Sequence, residues 1–429
     1  MSEPTSAHAP TGSAGRSVRH RRVFYIPGYD PVHARRYREI YRREGAAQAD
    51  MSGYTLSIKA APDAESFGWD VSAEIEGRPV TARIEVLGWS DIVKRSMDGG
   101  ILTTYLHLVR TAWVYIGTGT AFRLFSLRKG PVVAGLYPVA FLLGQLLLAL
   151  ALAGIVGWAL SALLHPWAAA LGLVVVPPVL IWFKRRDNRF LAYYLMQDYS
   201  FSGRYRGAHP PELEARMATF GARIAAALTE GDTDEVLVVG HSSGAHVAVS
   251  VLADLVRAGH LPPGGPALSL LTLGQVVPMV SFLPDASRLR ADLADLSRTN
   301  GLSWIDVSAP GDGAAFALCD PVSVSGMAGP GKRWPLVLSC AFTQTLKAET
   351  WEKLKRQFFR LHFQYLCAFD ALSGRPDDYD YFRITAGPLT LHARLGHRRP
   401  SPSRIERAVA RFDTPSDTNA SSLPQAPAT

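Results

Sequence analysis

Between Gly130 and Phe183 the sequence has no Asp, Glu, Lys or Arg. A soluble core does not need so long a run without charge, so the absence argues against a hairpin buried inside a globular domain. Cysteine is also scarce. Cys319, Cys340 and Cys367 are odd in number and widely spaced in 429 residues, which excludes a disulfide framework or a thiolate metal cluster and suits a reducing compartment. No metal and no cofactor is expected. The first residues, rich in Ser, Thr, Pro, Ala and Gly, lack an apolar core; they read as a disordered tail over 1–20, not a secretory signal. Residues 398–429 return to the same composition, with one short amphipathic stretch near 405–412, and read as a second disordered tail. No recognised nucleic-acid module accompanies the net charge of +8, so nucleic acid is not an expected partner. The arginine runs at 19–22, 35–43 and 184–189 read instead as charges facing cytosol and anionic lipid head groups.

What fills the uncharged run is a hydrophobic hairpin, residues 126–186. A bilayer core of about 30 Å takes about 20 helical residues. Two spans fit, at about 138–160 and 167–183, joined by His165-Pro166. Arg123, Arg128 and Lys129 precede the first span and Lys184, Arg185, Arg186 and Arg189 follow the second, so both ends belong on the cytoplasmic face of a cell (inner) membrane. Pro177-Pro178 predicts a kinked or shortened second helix, or a re-entrant one. On either side, Ile101 to Phe125 and Phe190 to Phe201 are apolar with a few interspersed charges. Each reads either as a segment in the head-group layer or as a core helix.

The remaining segments, 21–125 and 187–397, alternate strands with helices. Arg22 to Ile26 is a short apolar strand ending at Pro27-Gly28, and Tyr54 to Ala60, Trp69 to Ile75 and Val80 to Leu87 form a meander or hairpins. Glu235 to Gly259 runs from a buried strand through Gly240-His241-Ser242-Ser243-Gly244 directly into an apolar-periodic helix. Strand, sharp turn and helix in that order form a nucleophile elbow, with Ser242 at its tip and glycines where strand and helix pack too closely for a Cβ. Ala267 to Leu273, Ser303 to Val307 and Pro335 to Phe342 follow as further short apolar strands. The fold class is therefore α/β: a mostly parallel sheet flanked by helices, interrupted by a two-helix transmembrane hairpin.

On the Gly-His-Ser-Ser-Gly elbow, and on the order of nucleophile, acid and histidine, the chain resembles the α/β-hydrolase superfamily, in particular bacterial lipase-like serine hydrolases. The resemblance covers roughly residues 22–100 and 189–395. It implies an acyl-enzyme formed on Ser242 after a histidine removes its proton. It implies an acid just past the strand two βα units after the elbow, where Asp312 is favoured and Asp320, in Asp-Pro-Val, is the alternative. Asp306 lies within the strand and points into or beside the sheet. The base is His362, hemmed in by aromatics, with His392 as the alternative; His241 and His246 shape the pocket. For the oxyanion it implies the backbone amide of Ser243 and that of Gly28 or Tyr29, although the Pro-Gly-Tyr-Asp loop departs from the family's His-Gly-Gly run. The expected function is a membrane-anchored serine esterase whose partners are the lipid bilayer and an acyl ester, possibly membrane-derived. A catalytically silent hydrolase-like platform for membrane interactions is the alternative.

Overall fold

A computed structural model describes residues 17–61, 67–371 and 379–413. Its eight strands are β1 (His20–Ile26), β2 (Thr55–Ala60), β3 (Phe67–Ile75), β4 (Arg78–Val86), β5 (Glu235–His241), β6 (Ala267–Leu273), β7 (Leu302–Ser308) and β8 (Leu336–Ser339). They form one sheet in the order β2-β3-β4-β1-β5-β6-β7-β8, in which β3 runs antiparallel to both neighbours and every other pairing is parallel. β5, β6 and β7 are buried along their whole length, which is why they read as unbroken apolar runs. The expected meander is β2-β3-β4.

The helices that bear on the site are, in chain order, α1 (Arg35–Ser52), α2 (Ser90–Met97), α3 (Ile101–Gly117), α4 (Thr120–Leu127), α5 (Lys129–Leu163), α6 (Val176–Lys184), α7 (Asp187–Phe190), α8 (Ala192–Arg204), α9 (Pro211–Thr229) and α10 (Gly244–Arg257). The hairpin lies between β4 and β5, so the chain leaves the sheet for it and returns to lay β5 alongside β1, with Tyr25 paired to Val239 and Ile26 to Gly240.

Two helices are long and apolar enough to cross a membrane, α5 with 35 residues and the stretch Pro166–Lys184 with 19. The second agrees with the expected 167–183 to within a residue at each end, whereas the first is longer than the expected 138–160. α5 is about 50 Å long at about 1.5 Å per residue, and its first turns extend well before residue 138. The return leg begins as a 3-10 segment, Pro166–Val175, and becomes α-helical only at α6, where Pro177 and Pro178 occupy the first turn. Neither proline has an N–H to give the preceding turn, so the expected disturbance takes the form of tighter coiling before them rather than a kink within the helix. The two legs meet along small residues. Ala149, Ala153 and Gly157 are buried at every fourth position of α5, and a Cβ on Gly172 would lie 2.2 Å from the Ala153 carbonyl oxygen.

The described parts of the two expected tails are packed. Val18 is buried and donates its backbone N–H to Pro388, and His20 already belongs to β1. At the other end Ser401 bonds to Val337, Ile405 exchanges backbone hydrogen bonds with Leu318 and Asp320, and Val409 donates to Val324. These segments are held by backbone pairing, which leaves no mark in composition. Residues 1–16 and 414–429 of those tails lie outside the described residues.

At the N-terminal edge of the sheet Arg21 and Glu235 form a fully buried ion pair at 2.7 Å. The guanidinium also donates to the carbonyls of Gly387 and Leu389, and Glu235 accepts from Ser269 Oγ and the Leu391 amide, so every strong group has a partner. The pair fastens the C-terminal helices to β1 and β5. Glu235→Ala leaves the buried guanidinium uncompensated and is expected to cost about 3–5 kcal/mol, read as a lowered midpoint of thermal or denaturant unfolding in detergent solution; an unchanged midpoint refutes this account of the fastening.

Candidate active site

Ser242 follows the last residue of β5 with φ +57°, a left-handed conformation that a non-glycine residue holds only when its surroundings impose it. The surroundings are visible. Its N–H donates to Leu273 of the adjacent strand at 2.9 Å, and its carbonyl accepts from Ala245 in the first turn of α10. Gly244 lies against β1, where a Cβ would come within 2.2 Å of the Ile26 carbonyl oxygen. Gly240 meets α10 in the same way, its Cβ position being 2.8 Å from Ala245 Cα. Strand, helix and neighbouring strand thus leave one path for the backbone, and it lifts Ser242 into a cavity of about 600 Å³.

His362 and Ser242 line that same cavity. His362 ends the short helix Phe358–His362, and its Nδ1 bonds to Asp312 Oδ2 at 2.7 Å, which leaves Nε2 as its unengaged nitrogen. Asp312 follows β7, as expected. It also accepts from Tyr365 Oη at 2.9 Å and, through Oδ1, from the Ala314 amide at 2.9 Å. Burial pushes the Asp312 carboxyl up, but His362 and these donors outweigh it and hold the carboxyl below its ordinary value. Burial likewise opposes charge on His362, and the carboxylates of Asp312 and Asp198 overcome it, so its pKa is raised. In this conformation Ser242 Oγ is not hydrogen-bonded to His362, an arrangement common where such groups close only around a substrate.

His241 is fully buried, with its ring 4.9 Å from that of His362, and its Nε2–H donates to the His362 carbonyl at 3.0 Å. Burial and the neighbouring His362 lower its pKa to about 3. His241 is therefore neutral, and a proton taken up by this histidine pair resides on His362. It shapes the cavity wall as expected. His246 does not: it stacks on His209 at 5.5 Å, among residues that do not line the cavity.

The alternative acid and base are elsewhere. Asp320 caps the short helix Pro321–Val324 through the amides of Val322 and Ser323 and pairs with Lys332 at 2.7 Å. His392 lies in the helix Leu391–Leu395, edge-on to Trp334, where Leu391 bonds to Glu235 at the start of β5. Ser242 is at the far end of that strand, about 20 Å away at about 3.3 Å per residue. Asp306 is buried within β7, accepts from Thr272 Oγ1, and is pushed up to about 7 by burial.

Of the three expected backbone donors, the Tyr29 amide is already engaged by Ser243 Oγ at 2.8 Å. Gly28 sits against the elbow, where a Cβ would be 3.0 Å from Ser242 Cβ, and Ser243 begins the turn into α10. Gly28 and Ser243 are the two amides beside Ser242 that this bond leaves available.

Asp198 reads in the sequence only as a charge interspersed in the apolar segment 190–201. It lies on α8, whose cavity face also presents Tyr194, Leu195, Tyr199 and Ser202. Among the described residues its carboxyl has no hydrogen-bond or ion-pair partner, and burial pushes it up to about 7, with His362 pulling it down. The remaining walls are largely apolar and come from the first turns of α5, through Val133, Ala134 and Tyr137, and from Phe190, Phe358 and Phe359. The cavity therefore offers a hydroxyl, an imidazole backed by a carboxylate, a second carboxyl, and greasy walls supplied partly by the hairpin.

Because the Asp198 charge favours the imidazolium, Asp198→Asn is expected to move the His362 titration toward lower pH. Ring-proton NMR against pH checks this, and an unmoved midpoint would mean that Asp198 does not act on His362.

No protein-family model, curated protein or solved structure matches this chain.

Proposed function

We propose that this chain is a membrane-anchored serine hydrolase of α/β-hydrolase type that cleaves acyl esters through Ser242, His362 and Asp312. One observation carries the reading: a serine at φ +57° on a strand-to-helix turn shares a cavity with a histidine whose Nδ1 is held by a buried carboxylate at 2.7 Å. A core histidine needs no ion pair, and a loop serine needs no left-handed backbone. Together they match the needs of nucleophilic acyl transfer.

His362 Nε2 takes the Ser242 hydroxyl proton as Oγ adds to the ester carbonyl. Asp312 keeps the proton on Nδ1 and stabilises the imidazolium. The tetrahedral oxyanion accepts from the Ser243 and Gly28 amides; the Tyr29 amide can join them only by releasing Ser243 Oγ. Collapse breaks the ester C–O bond, His362 protonates the departing alkoxide, and the acyl group stays on Oγ. Water, deprotonated by His362, then frees the acid and restores the serine.

The apolar walls suit the acyl chain, and their origin in α5 suits a substrate arriving from a bilayer. With cations flanking both ends of the hairpin, the sheet and its cavity sit on the cytoplasmic side of an inner membrane.

A fluorophosphonate probe is expected to label the folded wild type and not Ser242→Ala; equal labelling of both, or of neither, sinks the proposal in favour of a silent membrane platform. Asp312→Asn should keep the fold and lower kcat about 10⁴-fold. Since the base must be neutral and the His362 pKa is raised, kcat/KM on a soluble ester should rise with pH through a midpoint above 6.5, the ordinary histidine value. A midpoint below that value contradicts His362 as the base.

A further inference from the structure

The α3 segment, which from sequence reads equally as a core or a surface helix, has two apolar faces. Thr104, Leu108, Thr111 and Val114 are buried against the protein. The opposite face carries Leu102, Leu106, Val109, Trp113 and Ile116, exposed by 73, 60, 64, 78 and 56%. At about 100° per residue these five fall within a quarter-turn of one another, so they form one stripe along the helix. Arg110, the helix's one Lys, Arg, Asp or Glu, sits at its margin and donates to the Arg204 carbonyl. Phe122 and Phe125 of α4 extend the exposed apolar surface. A helix apolar on both sides is expected in a core or in lipid, and among the described residues no protein covers the outer side of this one. A contiguous patch of this kind marks an interaction surface.

What covers it is indicated by where α3 is attached. Its start is tied to the end of the return leg, where Lys184 Nζ donates to Gly99 O at 2.6 Å. One turn further on, Tyr105 Oη donates to the Leu142 carbonyl of α5 at 2.8 Å, and Leu108 packs with Leu142. Lys184 closes the uncharged run of the hairpin and Leu142 lies inside it, so the first half of α3 is held directly against the segment that is apolar enough to enter a membrane. Arg110 lies at its margin, and Lys94 and Arg95 precede it in the last turn of α2, as suits anionic head groups.

We infer that the outward face of α3 is immersed in the bilayer, as a third membrane contact that seats the cytoplasmic domain on the lipid surface. This rests on the proposal that the hairpin spans a membrane. It has a consequence for the cavity: α8 packs on α3 through Gln197, His107 and Thr104, and its other face lines the cavity with Tyr194, Asp198 and Tyr199. Two packed helices, α3 and α8, then lie between this lipid contact and the reacting groups.

The test uses the full chain in proteoliposomes. The three native cysteines are buried, so a fluorophore can be placed on a single introduced thiol at Trp113→Cys, at Leu150→Cys within α5, or at the exposed Glu212→Cys of α9. Lipids carrying a nitroxide near the head group or along the chain quench a fluorophore only on contact. The inference expects several-fold stronger quenching at 113 than at 212, with quenching at 150 as well. Quenching at 150 with 113 no different from 212 overturns the immersion of α3 and leaves the hairpin standing, whether water or a second copy covers the stripe. Quenching at neither 113 nor 150 overturns both. Since Trp113 is exposed and makes no internal contact on which folding depends, loss of fold is not an expected confounder; near-wild-type thermal stability of the labelled variant checks that.

Discussion

There is no space for a side chain between the end of β1 and the first turn of α10. Gly244 fills that contact with its bare Cα, and Gly240 fills the matching one between β5 and α10. The close approach fixes the direction in which the chain leaves β5, and Ser242 adopts φ +57° because no other conformation joins the two elements across the gap. Such a backbone costs on the order of 1–3 kcal/mol. The cost is met by the burial of β5 and α10, among the most thoroughly buried elements of the molecule. Everything proposed for the site depends on that constraint, since a relaxed turn would return the hydroxyl to the plane of the sheet.

The histidine and the acid are supplied by a different arrangement. Asp312 leaves the end of β7 and is gripped by an amide, a phenol and an imidazole, while His362 comes from a short helix about fifty residues later. Tyr365 links the two loops, because its hydroxyl donates to Asp312 and accepts from Ala309 while its ring stands edge-on to His362. His241 completes the frame from the strand side. Electrostatics and packing thus agree: of the two imidazoles that line the cavity, the one that favours a proton is the one backed by Asp312.

Much of this was legible in the sequence. The fully buried strands announce themselves as apolar runs and the elbow by its glycines, because each is a local consequence of close packing, and the missing charge marks two helices long and apolar enough to cross a membrane. The choice between His362 and His392 was less local. It turns on which edge of the sheet each segment returns to, and the ion pair of Arg21 with Glu235 decides that by holding residues 387–391 at the edge remote from Ser242. Asp320 has the setting of an acid and the contacts of a cap, a distinction that only its amide partners reveal. The place of Asp198 in the site was hidden for a similar reason. An aspartate among tyrosines, in a segment that reads either as a head-group-layer segment or as a core helix, joins the cavity only because α8 turns that face to it.

The placement of the hairpin between β4 and β5 bears on biosynthesis. The seam of the sheet joins β1, made before the hairpin, to β5, made after it. On the proposed membrane placement, the emerging chain must commit to the bilayer and come back before β1, already paired with β4, gains its second neighbour. A chain stranded with one crossing would leave the two halves in different compartments, with Ser242 on one side and Gly28 on the other. Assembly of the proposed site would thus proofread insertion: a molecule left with a single crossing could not bring β1 and β5 together.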